Sequence, residues 1–237
     1  MGAVLFILKR ELANYFHSLT AYIVVILFLL ITGGMFWLEF FQGGFPELSM
    51  RRLFGDAPLF LAFFAPAITM GLLAEEKRSG TLELLMTMPV SDTQIVVGKF
   101  LAAVVLLLVT FAFTTPYALS LSTMGNLDWG PVIGGYAGLT LLGSAYAAVG
   151  IMVSSWTKDQ IVSVLLGFFL CFLLFLFDRL FANSSGALAT TFEYLSSNFH
   201  FQNIARGVLE VGDIVYYLSV IVICLTAARA TLAARRW

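Results

Sequence analysis

The chain has 237 residues, 60% of them hydrophobic and 11% charged, with a formal net charge of −1. A water-soluble domain carries roughly 45–50% apolar and ~25% charged residues, so a soluble enzyme or binding module is excluded and a membrane suits the composition. Without a basic excess there is no electrostatic footprint for a nucleic-acid partner.

The apolar runs are continuous and lack period-two alternation, so they read as helices and not as barrel strands. The expected fold is all-α and integral to the membrane, one transmembrane domain over residues 1–237. Residues 3–17 come first and differ in kind from the rest of the chain. Val4, Leu5, Leu8, Leu12, Tyr15 and Phe16 share one helical face, with Arg10, Asn14 and His17 opposite and Lys9 and Glu11 near the edges. Phe6 and Ile7 break the pattern. The segment reads as an amphipathic interfacial helix with Lys9 and Arg10 turned away from lipid. Two roles fit it equally: a lever resting on a cytoplasmic partner, or a plain anchor.

A span needs ~20 mostly apolar residues to cross ~30 Å of hydrocarbon. Six segments qualify, at about residues 19–41, 57–74, 95–123, 131–155, 161–181 and 214–234. The first is too long for a signal-peptide core of ~7–15 residues. The second is short and bounded by Asp56 and Glu75. In the third, Pro116 removes a backbone hydrogen bond and kinks the helix, and neighbouring hydroxyls can satisfy the freed carbonyl. Thr114 and Pro116 are therefore candidates for a kink or for a translocation pathway. The fourth carries Gly134, Gly138, Gly143, Ala147 and Gly150, small residues that let helices approach closely. Charges keep to span ends: Glu39, Asp178 with Arg179 as a headgroup-level pair, and Arg229. A proton-coupled carrier would bury a carboxylate mid-span, and none is expected here.

Lys and Arg set the orientation. With a cytoplasmic N-terminus, Lys9, Arg10, Lys77, Arg78, Lys99, Lys158, Arg229, Arg235 and Arg236 fall inside. Arg51, Arg52, Arg179 and Arg206 fall outside. The balance favours both termini inside. The extracytoplasmic loop 182–213 mixes turn formers with Phe192, Tyr194, Leu195, Phe199 and Phe201, as short helices packed on the outer mouth would. Cys171 and Cys224 lie in apolar runs and read as buried thiols. His17 and His200 fall on opposite sides, which disfavours a metal site or a shared acid–base pair.

The inside loop 75–94 carries the most information. Gly80 can take an N-cap position, with a two-turn helix over 81–88 and Glu83 in the first turn, where the helix dipole favours a carboxylate. Pro89 ends it, and Ser91 with Gln94 forms a capping box for the next helix. Leu82, Leu84, Leu85 and Met88 give the small helix an apolar side that calls for burial or for docking in a partner's groove.

The run Glu76-x-x-x-Gly80-Thr81-Leu82-Glu83, then Pro89, then Gly98-Lys99, resembles the signature of ABC-2 type permeases. Six spans and an N-terminal interfacial helix fit the same type V exporter-like architecture. The resemblance implies a non-catalytic permease in a bacterial cytoplasmic membrane, with export as the direction. Its coupling helix would sit in a cleft of a separate ABC ATPase subunit, which would bind ATP and Mg. The implied coupling residues are Glu75, Glu76, Lys77, Arg78, Gly80, Thr81, Leu82, Glu83, Leu85 and Pro89, with Lys158 and Asp159 of the next inside loop as a second contact. The chain itself lacks G-x-x-x-x-G-K-[ST]: Gly98-Lys99 is followed by Phe100, and position 93 is Thr. Further partners implied are a second permease copy or paralogue and an extracytoplasmic accessory protein. The stretch from His200-Phe201 through Arg206-Gly207 to Asp213 looks most like the gliding-motility type permease. Two rival readings are a carrier that needs no ATPase and an assembly protein that transmits force to an extracytoplasmic partner.

Overall fold

The structure, a computed structural model, describes residues 2–42, 49–82, 90–181, 194–208 and 210–234. Among them it is all-helical: α1 (Gly2–His17), α2 (Leu19–Gln42), α3 (Arg51–Thr69), α4 (Gly71–Ser79), α5 (Asp92–Ala112), α6 (Thr115–Met124), α7 (Trp129–Trp156), α8 (Gln160–Phe181), α9 (Ser197–Ala205) and α10 (Val211–Ala233). Six helical stretches are long and apolar enough to cross a membrane: α2, α3 with α4, α5 with α6, α7, α8 and α10.

The second span differs from its sequence outline. Helix begins at Arg51, not near residue 57, because Leu53 and Phe54 are buried and extend the apolar face past Asp56. At the other end it runs on to Ser79 through a joint at Met70. The joint has a clear cause. In an unbroken helix the Ala74 N–H would donate to the Met70 carbonyl. Instead the Ser154 hydroxyl of α7 stands between them. It donates to the Met70 carbonyl at 2.8 Å and accepts from the N–H groups of Leu73 (3.2 Å) and Ala74 (3.0 Å). A side chain inserted into the backbone ladder is a recognised source of a bend.

The third span breaks at Phe113–Thr114, just before Pro116. Pro116 has no N–H for the Ala112 carbonyl, and the Thr115 hydroxyl donates to that carbonyl at 2.7 Å. Thr114 is buried and bonds the Phe111 carbonyl (2.7 Å) and the Tyr136 hydroxyl (3.0 Å), so its hydroxyl ties α6 to α7.

Helix α7 is the spine. Its small residues receive neighbours on several sides: Phe54 of α3 at Gly135, Phe201 of α9 at Gly138, Leu107 and Phe111 of α5 at Gly143, and Thr69 with Pro66 at Gly150. Pro66 also rests in a second notch, Gly167 of α8. Helix α9 lies antiparallel along the first half of α7. Ser197 bonds Tyr146 at 2.6 Å, Phe201 faces Gly138, Ile204 faces Gly134, and Gly207 (φ +87°) approaches Gly130. Ser196 caps α9 and donates to Asp178 at 3.0 Å, and the Asn198 amide donates to the same carboxylate at 2.8 Å. Asp178 therefore turns to α9 instead of to Arg179, whose guanidinium lies 5.1 Å from the Phe175 ring centre. His200 and Asp213 are both buried and bonded at 2.6 Å, joining α9 to α10. This buried Asp213 lies near the start of the last span and not at its middle.

A β-carbon at Gly134 would meet the Ile204 carbonyl at 2.5 Å, whereas one at Gly34 of α2 would meet nothing within 4 Å. Gly134→Val should lower stability by about 1–3 kcal/mol, the usual cost of overpacking. Gly34→Ala should stay within about 0.5 kcal/mol. Thermal unfolding of the two variants in mild detergent checks both.

Candidate functional site

Helix α1 brings the site together by packing on the first turns of α5. Ile7 fits against Ile95 and the bare Cα of Gly98, where an added methyl would lie 2.8 Å from the Ile7 side chain. The close approach sets Glu11, one turn further on, beside Lys99. Arg10 of α1 and Glu76 of α4 complete a ring of four charges. The Glu11 Oε1 accepts from Arg10 at 2.6 Å and from Lys99 at 3.0 Å; the Glu76 Oε1 accepts from the same two at 2.8 Å each. Lys99 is fully buried and Glu11 nearly so, at 6% exposed.

The ring overturns the reading of α1 as turning its basic side outward. Ile7, Glu11 and Tyr15, at four-residue spacing, face the protein; Leu5, Phe6 and Phe16 are exposed. Lys9 is exposed as expected, while Arg10 is drawn in by two carboxylates. An ion pair taken out of water outweighs the matching of one apolar stripe to lipid, because an unpaired buried charge costs several kcal/mol. Sequence reading missed Glu11 and Lys99 as partners. The available signal was the scarcity of charge: each buried cation in such a chain needs a carboxylate.

Electrostatics follow the geometry. Burial pushes the Glu11 carboxyl up, but the Lys99 charge, the hydrogen bonds from Arg10 and Lys99 and the Arg10 charge outweigh it and hold it below its ordinary value of 4.5. Burial opposes the charge on Arg10 as well, and Glu11 and Glu76 overcome it, leaving the guanidinium above its ordinary range. Burial, then the Glu11 charge, push the Tyr15 phenol up; it donates to the Ile68 carbonyl at 2.9 Å and pins α1 to α3.

The remaining coupling candidates divide by burial. The Lys77 amine is buried and donates to the Ser155 carbonyl at the end of α7. Glu75, Arg78, Gly80 and Thr81 are exposed, and Leu82 is buried. Gly80 stands directly before the helical residues Thr81 and Leu82, and it has a second role. It ends α4 in the left-handed conformation (φ +74°), which glycine adopts without steric cost. Thr81 and Ser79 bond across this turn at 2.8 Å. Glu83, Leu85 and Pro89 lie outside the described residues. Beyond them the capping box is present: the Ser91 hydroxyl accepts from the Gln94 N–H (3.3 Å), and the Gln94 carbonyl oxygen from the Ser91 N–H (2.9 Å). Lys158 and Asp159 are exposed between α7 and α8, where Asp159 accepts from the Ile161 N–H at 2.8 Å.

Lys99→Leu should cost about 3–5 kcal/mol, the penalty for stranding a buried partner, and Glu11→Leu with Lys99→Leu should recover most of it. Chemical unfolding of the single and double variants reads this. The Glu11 contribution is complete above pH 4.5, where its carboxyl is ionised whether folded or unfolded. It is lost as pH falls through the lowered folded value, because only the unfolded state binds the proton readily above that point. A spin label at Ala13→Cys should therefore stay immobile down to about pH 4.5 and loosen only below it.

Comparison with known proteins bears on the same elements. No curated protein matches the chain. A family model described as ABC-2 family transporter protein matches residues 56–235, from within α3 to just past α10, and so includes α4, the loop after it, Lys99 and α7. The chain is a multi-pass membrane protein that belongs to the ABC-2 transporter family.

Proposed function

We propose that this chain is the permease subunit of an ATP-driven exporter and couples to a separate ABC ATPase through residues 75–94. The observation that carries the reading is the Glu76–Lys99 ion pair, which ties the two feet of that loop together at 2.8 Å and joins both to α1. Force delivered to the loop by a docked ATPase would move α4, α5 and α1 as one piece. Exposed Glu75, Arg78, Gly80 and Thr81, with Glu83, Leu85 and Pro89 beyond them, form the docking peg in this reading; Lys158 and Asp159 give the second contact. ATP and Mg belong to the partner. The larger share of Lys and Arg at this end supports its placement on the cytoplasmic side of a bacterial inner membrane. The family supports a working pair of permeases, and the run from His200 to Asp213 supports a likeness to the gliding-motility type.

A second reading draws on α9. Its antiparallel seating on α7, and the grip of Ser154 and Ser155 on α4, connect the outer loop to the docking loop. An assembly protein that transmits ATP-driven motion to an extracytoplasmic accessory partner would use the same path.

An ATPase should co-purify in stoichiometric amount from mild detergent, and its absence from a transporting preparation would sink the proposal. Glu83→Ala or Gly80→Val should weaken the coupling of hydrolysis to transport by roughly 5- to 150-fold, the usual span of an inter-site coupling energy. Vesicle transport and ATPase rates, measured together, give the ratio. Transport lost with hydrolysis intact fits the permease. Hydrolysis-dependent motion with no transport fits the assembly protein.

A further inference from the structure

A cavity of about 560 Å³ opens beside the charge ring, between α1, α2, the α3–α4 joint, α5 and the first residue of α8. That volume lies within the range of small-molecule sites, roughly 300–1,000 Å³. Its lining is divided by chemistry. Asn14, Glu75 and Gln160 stand at the polar rim, and Ala21, Ile68 and Leu106 form the apolar wall. Glu75 and Gln160 converge over Gly71, where a methyl would meet the carboxylate at 3.2 Å and the amide nitrogen at 3.7 Å.

The charge balance selects the occupant. Arg10 and Lys99 are both committed to Glu11 and Glu76. Glu75 remains as an additional lining carboxylate, and among the described residues no cation pairs with it. The lining thus carries three carboxylates, Glu11, Glu75 and Glu76, against two cations, Arg10 and Lys99. An anion would meet carboxylates whose neighbouring cations are already neutralised. A cation would meet that surplus carboxylate charge, and an apolar tail would remove the wall from water.

We propose that this cavity binds an amphiphile with an ammonium head, the head against Glu75 and Glu76 and the tail along Ala21, Ile68 and Leu106. As the substrate class of the permease this rests on the proposed permease function; as a binding site it stands without it.

The test is calorimetric titration of the full chain in digalactosyldiacylglycerol nanodiscs, whose lipid carries no ammonium, with empty discs subtracted and no ATPase present. Decyltrimethylammonium should bind below its micellar concentration, and decyl sulfonate should not. Glu75→Gln should weaken the cation by about tenfold or more, as loss of a charge-assisted contact does. Ala21→Phe, which fills the wall, should abolish it. Equal binding of the two amphiphiles, or wild-type affinity in Glu75→Gln, overturns the proposal. Should Ala21→Phe fail to fold, Glu75→Gln alone decides. Adding phosphatidylethanolamine to the discs separates the sources: competition supports a lipid ammonium headgroup, and its absence supports a soluble amphiphile. Failure to bind while an ATPase still co-purifies rejects the cavity alone, and binding without any ATPase partner rejects the permease reading alone.

Discussion

Two cations sharing two carboxylates, with Lys99 and Glu11 buried and Arg10 and Glu76 partly so, constrain everything at one end of this molecule. None of the four can leave without stranding another, because a buried charge without its partner is far costlier than an exposed one. Arg10 and Glu11 come from α1, Glu76 from α4 and Lys99 from α5, so the ring makes one rigid corner from three elements far apart in sequence. The Gly98 notch under Ile7 and the Tyr15 bond to the Ile68 carbonyl hold α1 at the distance the ring requires. Glu76 and Lys99, on either side of the loop, are thus held from outside it.

Away from that corner the fold depends on α7. Lipid gives helices little hydrophobic reason to prefer one another, so close backbone approach and interhelical hydrogen bonds decide the packing. Glycines supply the first: each notch on α7 receives a different neighbour, and α9 is seated along it by a register from Ser197 at Tyr146 to Gly207 at Gly130. Hydroxyls supply the second, through Ser154, Thr114 and Tyr146. The His200–Asp213 bond adds a buried polar lock between α9 and α10, so these two helices are fixed together.

Much of this was legible in the chain itself. Apolar run lengths give the six crossings because hydrocarbon thickness dictates them, and local chemistry gives the Ser91–Gln94 capping box and the break before Pro116. What was hidden depended on partners far away in sequence. Arg10 read as an outward cation because periodicity sees only its own helix, whereas its place is decided by Glu76. Gly80 read only as a helix start, whereas it stands between two helical stretches and also ends α4, which its backbone angle shows and its sequence does not. Asp178 read as the partner of Arg179 because the two are adjacent, while α9 supplies Ser196 and Asn198 from beyond a long loop. Hydropathy ended the second span at Asp56 because it averages composition and does not follow the helical face.

The Ser154 hydroxyl at the α3–α4 joint has a mechanical meaning. Ordinary helices resist flexing because each degree of opening stretches amide-to-carbonyl links that have no substitute. At Met70 those links have already been exchanged for an oxygen that can rotate and still satisfy both sides. Angular change there would therefore be borne by a swivelling hydroxyl, with the backbone on either side intact, and α4 would turn about an axle that α7 provides.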